Sequence, residues 1–139
     1  MSRQSIRRQI EHYGKLKSNA EKELKKLEEE LELLNVFRRK YISAKSDLDY
    51  NITHRNKRLT DTLELTQKMK CANPYHTGMN ETLNGSKNKQ ALRQIEEVNS
   101  NAKSEIHKRE IRIEELKVQI QQDTRTIHDL YEQLSREDD

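Results

Sequence analysis

The sequence contains no Trp, one Phe, one Pro, three Gly and one Cys in 139 residues. Each shortage excludes something. The lone Cys71 cannot form an internal disulfide and suits a reducing cytosol. Hydrophobic residues make up 31%, where an ordinary soluble domain carries roughly 45–50% apolar residues counting Gly. A thick, two-sided core is therefore excluded. No apolar run reaches the ~18 residues that a membrane span needs. The basic stretch Met1–Ile10 is not followed by the apolar segment of about 7–15 residues that marks a secretory signal peptide. Neither sign of charge dominates, with 27 Lys and Arg against 24 Asp and Glu. A nearly balanced polyampholyte does not call for nucleic acid as a partner.

The chemistry of catalysis is also missing. His12, His54, His76, His107 and His128 show no metal-ligand spacing, and no Cys lies near one at finger spacing. No phosphate-cradling Gly-rich loop and no nucleophile elbow occurs. The expectation is a protein that is not an enzyme, with no metal, no cofactor and no small-molecule substrate.

What is present is charge, at 37%, and a regular spacing of the few apolar residues, which argues against disorder. Breakers cluster in one place. Asn73, Pro74, Gly78, Asn80, Asn84 and Gly85 interrupt a chain otherwise almost free of Pro and Gly. The pattern predicts a helix over residues 2–72, a loop over 73–85 and a helix over 86–137, with Ser86 as its N-cap. Lys68 and Lys70 suit the C-terminal turn of the first helix.

The second helix carries a heptad repeat. Leu92, Asn99, Ile106, Ile113, Ile120, Ile127 and Leu134 occupy a positions; Ile95, Ala102, Arg109, Leu116, Asp123 and Leu130 occupy d positions. A sustained 4-3 repeat is a coiled-coil seam. Asn99, Arg109 and Asp123 are its polar defects, which can fix register or mark where the seam is loose or meets a partner. In the first helix Leu27, Leu34, Tyr41 and Leu48 lie seven apart, with Leu24 and Leu31 offset between them; after Leu34 the stripe shifts to Phe37 and Ala44, and it resumes at Ile52, Leu59 and Leu63. Residues 43–57 are poor helix formers, so bending or fraying is expected there.

A narrow apolar seam needs a mate. The fold class is all-α: an antiparallel two-helix, coiled-coil-like hairpin, one domain over residues 1–139. With the chain turning near residue 79, Leu134 falls opposite Leu24. Residues 2–20 would then overhang, although Ile6, Ile10, Tyr13 and Leu16 keep helical apolar spacing. Ile111 and Val118 sit at f, opposite the seam. These six residues are the expected partner-binding positions.

Leu83 and Gly85 immediately precede the second helix, followed by Ser86, Ala91 and Leu92. A long helix, an aromatic- or Leu-x-Gly and a second long helix resemble the WXG superfamily of type VII secretion. Within it the chain is most similar to the small helical proteins encoded beside LXG toxins in Gram-positive bacteria, the Lap family. That resemblance implies a WXG-like hairpin whose loop motif is Leu83 and Gly85. It implies a targeting factor or chaperone that pairs with the LXG domain of a cognate toxin, together with a second small helical accessory protein and the secretion ATPase. It also implies a cytoplasmic protein, exported with its partner by a route that needs no signal peptide. An aromatic-acid export signal would fall on Tyr131 and Glu137, where Ser135 occupies the usual place of the acid. Three other functions fit the same pattern. They are a coiled-coil export chaperone or ATPase-stalk hairpin of a flagellar or type III system, a self-associating structural coiled coil, and a binder of anionic surfaces through Arg38–Lys40.

Overall fold

A computed structural model describes residues 2–63, 69 and 72–137. Three helices account for nearly all of them: α1 (Arg3–Asp61), α2 (Ala72–Asn84) and α3 (Ser86–Glu137). No strand occurs among the described residues. Cys71, Lys68 and Lys70 lie outside them, as does most of the predicted helix beyond residue 63.

Local sequence explains where the helices start and stop. Ser2 caps α1: its Oγ accepts from the Ser5 N–H at 3.2 Å, and its carbonyl accepts from Ile6. At the other end, the Thr62 N–H is shared between the Arg58 and Leu59 carbonyls, and the Thr62 hydroxyl donates to Leu59 at 2.7 Å. These bonds satisfy carbonyls that a helix end leaves unpaired. Between them α1 stays helical through residues 43–57, where fraying was one expectation. Lys45 bonds Asp49 at 2.9 Å, Asn56 returns a bond to the Ile52 carbonyl, and Thr60 to that of Asn56. Side-chain bonds along the helix offset its low propensity.

The predicted loop 73–85 is a helix instead. Pro74 sits in the first turn of α2, where it has no intrahelical N–H bond to lose and its φ is already helical. Gly85 forms no tight turn. The Gly85 N–H donates to the Glu81 carbonyl at 2.8 Å, and its own carbonyl accepts from Lys89 at 3.1 Å. The backbone bonding of α2 therefore passes into α3 through Gly85, whose φ is not positive. Gly85, and not Ser86, is the residue whose carbonyl opens α3.

The chain divides into two units, Met1–Asn35 with Ser104–Asp139, and Val36–Lys103. In the first, Ile6 and Ala20 of α1 and Ile106, Ile113, Leu116 and Leu130 of α3 are buried. Glu23 pairs with Arg112 and Glu30 with Arg109, so the two segments run in opposite directions. This register carries Leu134 to the first turn of α1, not to Leu24. The overhang does not exist. Ile6 is only 1% exposed, because this register brings α3 to the start of α1. Burial of a side chain of this size contributes roughly 1.5–3 kcal/mol.

In the second unit, Leu59, Leu83 and Ala102 are buried. Tyr41 donates to Glu96 at 3.2 Å, Lys45 lies 3.5 Å from the same carboxylate, and Asn84 donates to Asn56 at 2.7 Å. The α1 stripe does not shift to Phe37 and Ala44, which are exposed. It continues through Arg38, Tyr41, Lys45 and Leu48, all half-buried. Arg and Lys can occupy such positions because their aliphatic stems lie along apolar surface while the charge stays near water.

Candidate interaction surface

The candidate surface starts from the heptad of α3 within the first unit. Its a and d positions face inward, so f positions face outward. Ile111 is 48% exposed and Val118 51%. His107, Glu110, Glu114 and Glu115 border them, and together these six residues form a shallow apolar patch with an acidic rim. Several rim groups are held in place. Arg112 grips Glu23 through both carboxylate oxygens, at 2.9 and 3.1 Å, and extends to Glu115 at 3.3 Å. A forked contact of this kind fixes both side chains. It holds the Glu23 carboxyl below its ordinary range, chiefly through the Arg112 hydrogen bond. Glu114 is tied to Lys117 at 3.7 Å.

A second exposed apolar residue lies on α1 of the same unit. Leu33 is 71% exposed, bordered by Lys25, Glu28, Glu29 and Glu32. Sequence inspection missed it, although the Leu33–Leu34 doublet was the signal: adjacent helical residues cannot both face one seam.

The other predicted positions are placed as follows. Ile6 is buried and is unavailable as an exposed contact. Ile10, Tyr13 and Leu16 are half-buried. Leu83 is buried, its carbonyl bonded by the Asn88 side-chain amide. Tyr131 and Glu137 are exposed. His107 and His128 are exposed at b positions, and His128 lies 3.3 Å from Glu132. The Arg38–Lys40 cluster does not present one face, since Arg38 is half-buried with its Nε enclosed, whereas Arg39 and Lys40 are exposed.

The polar seam residues differ in how well they are satisfied. Arg109 donates to Glu30 at 3.0 Å and to Glu105 at 2.7 Å. The Glu105 carboxyl is held low chiefly by that Arg109 bond. Asp123 Oδ2, Asn99 Oδ1 and Arg38 Nε are enclosed with no hydrogen-bond partner among the described residues.

Among the described residues no group of three His, Cys, Asp or Glu side chains could hold a metal ion. No helix among them is long and apolar enough to cross a membrane. The chain matches no family model, no curated protein and no solved structure.

Proposed function

We propose that this chain is an antiparallel, WXG-like helical hairpin that binds helices of a partner protein and performs no catalysis. The partner, by the resemblance of its x-Gly architecture, is the LXG domain of a cognate toxin, and the hairpin targets or chaperones it for type VII secretion. One observation carries the binding role. After the chain has buried Ile106, Ile113 and Leu116 in its own seam, Ile111 and Val118 still lie exposed one heptad apart on the outer face of α3. Apolar residues at that spacing suit a helix laid alongside. Ile6, being buried, leaves the contact surface, and Ile111 and Val118 become its centre.

The test is co-expression with the LXG-domain protein encoded next door. A stable complex is expected, and Ile111→Asp with Val118→Asp should abolish it while leaving the hairpin's melting unchanged. Isolation as a monomer that gains no stability from that neighbour would refute the targeting role. A complex that forms equally well with the double variant would refute the assigned face.

A further inference from the structure

The last turns of α1 and the first turns of α2 line an open cleft of about 190 Å³ in the second unit, formed by Arg55, Arg58, Leu59, Thr62, Tyr75 and Met79, of which Arg55, Arg58 and Tyr75 are exposed. Its parts follow from helical spacing. Arg55, Arg58, Leu59 and Thr62 succeed one another at intervals of three, one and three on α1, and Tyr75 and Met79 are one turn apart on α2. Leu59 is buried and forms an apolar wall with Met79. The Thr62 hydroxyl already donates to the Leu59 carbonyl. Neither the Arg55 nor the Arg58 guanidinium, nor the Tyr75 hydroxyl, has a hydrogen-bond or ion-pair partner among the described residues.

This contrasts with the cations of the seam. Arg109, Arg112 and Lys45 each hold carboxylates. Two guanidiniums lining one cleft give it a positive potential that suits an anion. The anion is constrained by chemistry. One guanidinium fork saturates a planar carboxylate, whereas two forks and a phenol match the three terminal oxygens and nearly double charge of a phosphate monoester. The α2 N-terminal turn, which carries Tyr75, adds potential of the same sign.

We propose that this cleft binds a phosphate monoester. Arg55 and Arg58 hold the phosphate, the Tyr75 hydroxyl donates to it, and the body of the ester lies against Leu59 and Met79. No small-molecule substrate is expected of this sequence, and the group is accordingly a bound ligand, not a reactant. The site is independent of the helix-binding face on α3.

The probe is phenyl phosphate, titrated calorimetrically into the full chain. Arg55→Gln, Arg58→Gln and Tyr75→Phe should each weaken binding by about tenfold or more, since each removes a hydrogen bond to a charged group. Lys57→Gln, an exposed neighbour outside the cleft, should leave affinity unchanged. Thermal melts of each variant establish that folding is intact. Vesicles then separate the two sources of a monoester. Sedimentation with phosphatidylcholine vesicles containing phosphatidic acid, but not with equally charged phosphatidylglycerol vesicles, lost in Arg58→Gln, identifies a lipid headgroup. Binding of phenyl phosphate without that preference identifies a soluble ester. Absence of phenyl phosphate binding overturns the site, as does an equal loss in Lys57→Gln, which would reveal diffuse charge attraction.

Discussion

Arg109 occupies a seam position on α3, yet its guanidinium lies 3.0 Å from Glu30 on α1 and 2.7 Å from Glu105 on its own helix. A charged residue in an apolar stripe is thus bridged across the two segments of the first unit. Removing one half of such a bridge leaves the other charge partly desolvated, whereas replacing both halves by apolar groups is often neutral or stabilising. Glu30→Leu alone should therefore lower the melting temperature, and Glu30→Leu with Arg109→Leu should restore or exceed it. A double variant that melts below Glu30→Leu would show that the bridge itself stabilises the unit.

Gly85 and Gly14 should respond oppositely to alanine. A Cβ at Gly85 would collide with the Glu81 carbonyl oxygen and carboxylate, whereas nothing lies within 4 Å of a Cβ at Gly14 or Gly78. Gly14→Ala and Gly78→Ala should each stabilise by about 0.5–1 kcal/mol through helix propensity and a less flexible unfolded chain. Gly85→Ala should destabilise by roughly 1–3 kcal/mol, the range for overpacking. Denaturant melts of the three variants check the ordering. Stabilisation by Gly85→Ala would mean that the junction accepts a straight helix.

The α3 seam was legible in the sequence because its heptad is unbroken: Ala102, Ile106, Ile113, Leu116 and Leu130 are buried at the a and d positions that the spacing assigns. The outward placement of Ile111 and Val118 followed from the same repeat. The α2 segment was not legible, because Pro74 and Gly78 read as breakers when only the interior of a helix makes Pro one. That error shifted the expected register of α3 on α1 and created a false overhang at Ile6. Arg38 and Lys45 were missed as seam residues because their charge hides the apolar stem. The Arg55–Arg58 cleft was not legible either, since it joins residues on two helices.

Glu23 and Glu105 set the acid response. Both carboxyls are held below their ordinary value of 4.5, Glu23 chiefly by its bond to Arg112 and Glu105 chiefly by its bond to Arg109. A carboxyl with a depressed folded pKa contributes stability above its unfolded value and loses it as pH falls through the folded one. Stability should be flat above pH 4.5 with respect to these groups and decline below it. Arg112→Gln should flatten that decline. Because the Glu23–Arg112 pair is exposed, its share of the slope should also shrink in high salt. Melting temperatures across the acid range, in wild type and Arg112→Gln, measure it.

Ile6 and Ile111 separate burial from partner contact. Ile6→Ala deletes methyl groups from an enclosed position and should cost about 2–5 kcal/mol. Ile111→Ala, on the outer face, should change stability by no more than about 0.5 kcal/mol. Equal losses at both sites would mean that a second copy already covers Ile111 in solution, and melting would then depend on protein concentration.

Asp123 is the most costly residue of the seam. It is 7% exposed, and its Oδ2 is enclosed without a hydrogen-bond partner among the described residues. The position is d, flanked one heptad away on either side by Leu116 and Leu130. Leu fills a d position well, so Asp123→Leu exchanges a desolvated polar group for apolar contact. Removing an unsatisfied buried oxygen gains roughly 1–3 kcal/mol before packing is counted. Asp123→Asn keeps the shape and removes the charge but leaves a polar amide in the seam, so it should gain less than Asp123→Leu. If the carboxylate instead holds register, as a polar seam residue can, Asp123→Leu will melt higher but will also populate dimers on sedimentation, because a continuous apolar seam no longer discriminates its own partner from another copy. A lower melting temperature for both variants would mean that the carboxylate is satisfied in solution.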